Sequence, residues 1–206
     1  MGKISRSHLL LALHYQNEVV HSQGKIRFGI AAESPERGQI IAAAKRLIDG
    51  ARSAGVPVVS VRIAFPTDYR DVVANAPIWR RVIAERAMID GSWGAEFYEG
   101  LGSLPGEPVV THRRNNPFHA STLGDVIASF CPRRLIAAGI STTYVVESAV
   151  RHACDLGYEV VVAADACSSA SPDMHNASLK AMALLAEIST VDAVLAELGA
   201  AERAPP

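Results

Sequence analysis

No apolar run in these 206 residues reaches membrane-spanning length, which is about 20 residues for a helix, so no spanning helix is expected. One-signed charge is missing too. Lys and Arg total 20 against 21 Asp and Glu, a formal net charge of −1. Nucleic acid and acidic membrane surfaces need a concentrated basic face, and neither is expected as a partner. Cysteine is scarce, and Cys131, Cys154 and Cys167 are too scattered for a disulfide framework or a zinc-finger spacing. The stretch from Met1 to His8 lacks the apolar core of a signal peptide. A reducing, cytoplasmic setting is the expectation. There is no internal repeat and no low-complexity tract. With 49% hydrophobic residues, the chain can bury a sizeable core, and a single domain over residues 1–206 is the reading.

Apolar runs alternate with helical spacing. Leu9 to Leu13 is continuously apolar, as a strand buried on both faces would be, and it runs out at His14. From Ser22 to Glu33 the mix of Gly, Lys and Arg reads as a loop. Ser34 and Pro35 resemble an N-cap and first turn, followed at helical spacing by Ile40, Ile41, Ala44, Leu47, Ile48 and Ala51, with Gly55 as a stop. Further strands are expected at Val56 to Arg62, Pro108 to Thr111, Leu135 to Ala138, Glu159 to Ala163 and Ser189 to Val191. Helices are expected at Pro77 to Arg86, from Ser121 or Thr122 to Phe130, up to Gly157, at Pro172 to Ala186 and at Asp192 to Leu198. Strands alternating with helices imply a parallel sheet covered on both faces. Residues 64–106, with Tyr69, Trp79 and Trp93, follow no regular pattern and read as a pocket or interface segment.

The strand at Leu135 to Ala138, the turn opened by Gly139 and the following helix form half of a βαβ unit. Open parallel sheets bind ligands at such turns, where free amides and the positive helix end point outward. His14 and His112 follow the first and third strands. Strand ends of one sheet share one edge, with neighbours about 5 Å apart, so these residues converge on that turn.

Four strings, in this order and spacing, carry a resemblance. They are Leu-Leu-Leu-Ala-Leu-His-Tyr-Gln-Asn at 9–17, Gly-Ser-Trp-Gly-Ala-Glu at 91–96, Val-Val-Thr-His-Arg-Arg-Asn-Asn-Pro-Phe at 109–118 and Ala-Gly-Ile-Ser-Thr at 138–142. Together they resemble the isochorismatase-like hydrolase superfamily, the cysteine hydrolases, from about Leu9 to Leu198. The resemblance implies an α/β fold, a three-layer, Rossmann-like αβα sandwich around a six-stranded parallel sheet. Its hydrolytic members use an Asp after the first strand, a Lys after the third and a Cys at the turn before the fourth helix. In this chain those positions hold His14, His112 and Val145.

Valine has no lone pair, so a covalent acyl-enzyme route is closed at position 145. Cys154 lies nine residues further along the helix, about 13 Å at 1.5 Å per residue. Cys167 is expected to fill a small buried space. The hydroxyls of Ser141, Thr142 and Thr143 have no adjacent base except His14 or His112. Non-covalent hydrolysis stays open. The resemblance implies it through the isochorismatase branch, which lacks the Cys and protonates a vinyl ether before water attacks. His14 would then be the catalytic acid/base and His112 a second acid/base or charge stabiliser, with at least one ring neutral. Gln16, Arg62, Trp93, Arg114, Phe118, Thr142, Thr143, Tyr144 and Val145 are the expected substrate-binding residues. The amides between Thr142 and Val145 are expected to form an anion hole, and the resemblance implies a cis peptide at Ser141–Thr142.

Each of these readings has a plainer counterpart. Arg62 grips a substrate carboxylate or pairs with a nearby Asp or Glu. Trp79 and Trp93 wall a pocket or pack a subunit interface. Asp165 caps the turn that follows it. His14, His112 and His119 could form a three-histidine metal site, but the Asp-x-His pattern of the metal-binding branch is missing after the second strand. Neither a metal nor a cofactor is expected. The expected partners are a small-molecule substrate and further copies of the chain, as a dimer or tetramer. The competing reading is a catalytically inactive pseudoenzyme or small-ligand-binding scaffold of the same fold.

Overall fold

Six parallel strands form one sheet in a computed structural model that describes residues 7–31 and 33–201. Most of the Met1 to His8 stretch lies outside the described residues. The strands are β1 (His8–Leu13), β2 (Val58–Ile63), β3 (Val109–His112), β4 (Arg134–Gly139), β5 (Glu159–Ala163) and β6 (Glu187–Ser189), in the spatial order β3-β2-β1-β4-β5-β6. The helices are α1 (Asn17–Val20), α2 (Arg37–Ser53), α3 (Pro77–Ala84), α4 (Leu123–Phe130), α5 (Glu147–Asp155), α6 (Pro172–Met182) and α7 (Val191–Ala201). This is the expected α/β sandwich.

The all-apolar Leu9–Leu13 run explains why β1 is central. None of its side chains is more than 1% exposed, which requires cover on both faces. Helix α2 packs on β1, β2 and α7, while α5 packs on β5 and α6. Because β2 and β4 flank β1 on opposite sides, the strand order reverses at β1/β4. That switch point opens a crevice at the carboxyl ends of the strands. Gly139 lets the two strands approach there. A Cβ on it would stand 2.2 Å from the Leu13 carbonyl oxygen and 2.5 Å from the Leu13 Cβ.

Among the element boundaries that differ from the sequence reading, three change how the pieces join. Helix α2 starts at Arg37 rather than at Ser34–Pro35, and no side chain caps it. The preceding residues form turns instead, with the Ser34 amide donating to the Ala31 carbonyl and the Arg37 amide to the Ser34 carbonyl. Helix α6 stops at Met182, because the amides of Leu185 and Ala186 fold back onto the Met182 carbonyl. The last strand is therefore Glu187–Ser189. Val191 is not its end but the start of α7, where its amide donates to the Asp165 carboxylate at 2.8 Å. Asp165 thus caps a helix distant in sequence rather than its own turn.

Residues 64–106 are less loose than their composition suggests. Phe65 exchanges main-chain hydrogen bonds with Met88 and Asp90 at 2.8 Å each, and Tyr98 donates to the Tyr15 carbonyl. Among the described residues no helix is long and apolar enough to cross a membrane.

Candidate active site

The ends of β1 and β3 bring two imidazoles into contact. His14 follows Leu13, which registers with Gly139 on one side and Val61 on the other, and His112 registers with Ile63. His14 takes a φ of 56°, in the left-handed region that histidine tolerates better than branched residues. The rings stack with centroids 4.7 Å apart and planes 18° from parallel. Their Nε2 atoms are 2.5 Å apart. At that separation one nitrogen donates and the other accepts.

Both rings are buried, His14 8% and His112 1% exposed. Burial, and then the neighbouring His112, pushes His14 well below the usual imidazole range. Burial likewise pushes His112 down to about 4, against a smaller opposing effect of the Arg114 main chain. That main chain makes no full hydrogen bond to His112, whose Nδ1 is buried without a partner. The pair is therefore neutral near pH 7.

A cavity of about 60 Å³ opens beside the pair. His14 lines it and His112 does not, so His14 stands between the cavity and His112. Val145, Ile140 and Ser141 of the turn also line it, as do Phe28, Trp79 and Met88. Phe28 stands edge-on to Tyr144, with centroids 6.0 Å apart, and Trp79 edge-on to Phe65 at 6.2 Å.

The other expected site residues separate into groups. Arg114, Tyr144 and Val145 line the cavity. Gln16 does not, because its amide is spent on the main chain: it donates to the Ile63 and Ala95 carbonyls and accepts from the Ile63 amide. Arg62 pairs with Asp90 at 2.9 Å and donates to Thr111. Trp93 is 47% exposed and meets His21 edge-on, whereas Trp79 is the tryptophan in the cavity wall. Phe118 stacks on His152 with centroids 4.5 Å apart. His119 is exposed, and no group of three metal-ligating side chains occurs among the described residues.

The turn is closed by hydrogen bonds, most of them to the segment 168–175. Thr142 donates its amide to the Ser168 carbonyl at 2.8 Å, Thr143 its amide to Ser169 Oγ at 3.2 Å, and Tyr144 its amide to the Ser141 carbonyl at 3.3 Å. Thr142 Oγ1 bonds His175 Nδ1 at 2.8 Å, and Thr143 Oγ1 bonds Ser169 Oγ at 2.6 Å. The expected anion hole between Thr142 and Val145 thus has three of its amides engaged inside the fold. The cis peptide lies one residue earlier than expected, at Ile140–Ser141. Cys167 is 3% exposed, and burial pushes its thiol up to about 12, so it offers no thiolate.

Among the lining residues missed from the sequence are Phe28 and Met88. Phe28 is an aromatic residue isolated in a polar loop, and that isolation was the one available signal.

A parallel αβα sandwich with a polar pair at its switch point defines a class of small-molecule-binding α/β proteins. The chain belongs to the isochorismatase family, whose Isochorismatase domain matches residues 8–193. The isochorismatase family protein YecD of Escherichia coli O157:H7 is 28% identical over 161 residues, covering 76% of this chain and 82% of that protein. Ureidoacrylate amidohydrolase RutB of Pseudomonas savastanoi pv. phaseolicola is 30% identical over 148 residues, 66% of this chain and 60% of its own length. The crystal structure of a cysteine hydrolase from Pseudomonas syringae pv. phaseolicola 1448A superposes with a TM-score of 0.84 at 19% identity, covering 96% of this chain and 94% of that one. N-carbamoylsarcosine amidase from Thermoplasma acidophilum gives 0.71 at 19%, covering 90% and 97%. At these identities the solved structures establish the fold.

Proposed function

We propose that this chain is a hydrolase of isochorismatase type that acts on a small molecule by non-covalent acid/base chemistry. The observation that carries the reading is the His14–His112 contact at the wall of a cavity that Val145 also lines. Relatives named as amidohydrolases support the reaction class.

A buried imidazole titrating near 4, as His112 does, is about one part in a thousand protonated at pH 7. The pair therefore has no proton to give at pH 7 and can only accept one. Because burial makes each ring a weak base, it holds that proton only in passing. His14, on the cavity side, removes a proton from water as the water oxygen attacks the electrophilic carbon. The bond to the leaving nitrogen or oxygen breaks, and the same proton passes to that atom, leaving the ring as it began. His112 acts as a positioning residue, holding the His14 ring and sharing its charge while the proton is in transit.

One specific observation favours a second reading, a silent small-ligand binder. The cavity wall is almost wholly apolar, and the turn amides from Thr142 to Tyr144 are already engaged.

A panel of small amides, imides, lactones and vinyl ethers assayed on wild type, His14→Ala and His112→Ala separates the two. Acid/base catalysis predicts a loss of about a hundredfold or more for His14→Ala. Wild-type activity should be flat through neutral pH and fall only on acidification below the usual imidazole range. Turnover that survives His14→Ala removes the acid/base assignment. A wild type inert on every substrate leaves the silent binder standing.

A further inference from the structure

Charge is what the cavity beside His14 is short of. Arg62 and Arg113, near the carboxyl ends of β2 and β3, are matched by Asp90 at 2.9 Å and Asp71 at 3.5 Å. Arg114 lines the cavity, but its guanidinium donates to the main-chain carbonyl of Val73, an exposed residue. No Asp, Glu or Lys is among the lining residues. Burial keeps the His14 ring neutral near pH 7.

Free hydrogen-bonding groups are nearly as scarce. The amides of Thr142, Thr143 and Tyr144 are engaged inside the fold, and Gln16 spends its amide on the main chain. The wall includes Phe28, Phe65, Ile78, Met88 and Val145. Among the polar lining side chains, His14, Asn115 and Ser141 offer ring nitrogen, amide and hydroxyl groups rather than an ionic partner. An ion entering such a space gives up hydration that no opposite charge replaces. An uncharged apolar group gains by leaving water, and one carbonyl or ether oxygen on it can still be met by the few polar side chains. Size narrows the class further. A water needs about 10–15 Å³ by the same measure, so 60 Å³ holds on the order of five water-sized groups.

We propose that the cavity selects uncharged aliphatic molecules of about four to six heavy atoms, and that a neutral amide, ester or lactone of that size is the substrate. The selection is a property of binding alone, whereas its extension to a substrate rests on the proposed function. Hydrolysis then changes the charge. Water adds across the bond, its oxygen joining the carbonyl carbon and its proton passing to the leaving nitrogen or oxygen. The acid so formed loses a proton to solvent at pH 7. A cavity that admits the neutral substrate does not retain the carboxylate product.

The test compares butanamide and γ-butyrolactone with butanoate and butylammonium at pH 7.5. Binding is followed by ligand-observed NMR and by Trp79 emission in a Trp93→Phe background, since Trp79 lines the cavity and Trp93 does not. Expected is a preference for the uncharged probes over either ion of at least about tenfold, undiminished in Arg114→Gln. The bulkier 1-naphthamide should bind at least about tenfold more weakly than butanamide, and Phe28→Ala, which takes a ring out of the wall, should narrow that gap. The charge comparison needs only wild-type side chains around the cavity, and circular dichroism checks that each variant is folded. Butanoate binding as tightly as butanamide overturns the proposal, as does butanoate binding that Arg114→Gln abolishes. Where butanamide or γ-butyrolactone is turned over, butanoate at equal concentration should leave the rate unchanged, and inhibition by it counts against the proposal. Neutral-selective binding without turnover of any substrate overturns the hydrolase reading and leaves the selection standing. Turnover of a charged substrate that His14→Ala abolishes, with no neutral preference in binding, does the reverse.

Discussion

At the scale of the residue, the His14–His112 pair costs stability in a way that depends on pH. In the unfolded chain an imidazole takes up a proton near pH 6.5, whereas folded His112 resists until about 4. Burial of the neutral ring is therefore fully compatible with folding above pH 6.5 and is penalised progressively as pH falls towards 4. The shift amounts to about 3 kcal/mol at the acid end, and His14, lowered by the same burial, acts in the same direction. Urea unfolding between pH 7.5 and pH 4 should show stability falling steeply in wild type and less steeply in His112→Gln. Parallel slopes would mean that His112 does not resist protonation in the fold. Gln16 teaches the opposite lesson about residue type. A polar side chain near the switch point looks like a ligand-binding group, yet its three hydrogen bonds stitch β2 and the 93–95 turn to β1.

At the scale of the element, the contacts that matter join pieces far apart in sequence. Gly139 sits where β4 passes β1 too closely for any side chain. Gly139→Ala would drive a methyl into the Leu13 carbonyl, and overpacking against backbone costs about 1–3 kcal/mol or more. We expect the urea midpoint to fall accordingly, with the His14 site disturbed as well because Leu13 precedes it. Asp165, after β5, caps α7 through the Val191 amide. Asp165→Ala should cost about 1 kcal/mol, and Asp165→Asn much less, because the amide oxygen still accepts. Equal losses for the two would show that charge, not capping, is what Asp165 supplies.

At the scale of the whole molecule, one continuous core joins the sheet to α2, α5 and α7 and reaches Trp79 and Met88 in the 64–106 segment. A core without a seam predicts one cooperative transition. Tryptophan fluorescence and far-ultraviolet circular dichroism should give the same urea midpoint. The fluorescence change should vanish mainly in Trp79→Phe, since Trp79 is buried and Trp93 half exposed. Two separated transitions would mean that the segment folds on its own.

The sequence by itself determined the parallel α/β architecture, since a run such as Leu9–Leu13 has no polar face and can occupy only the middle of a doubly covered sheet. It also determined that His14 and His112 would converge, because both follow strands whose ends share one edge. It could not separate the arginines. Arg62, Arg113 and Arg114 are alike as residue types, and only the fold brings Asp90 and Asp71 to the first two and the Val73 carbonyl to the third. Nor could it rank Trp79 against Trp93, or see that the amides of the turn were spent. Local propensity and periodicity report which face of an element is buried. Which hydrogen-bond donors and charges remain unmatched depends on partners brought from distant parts of the chain, and that only the tertiary structure decided.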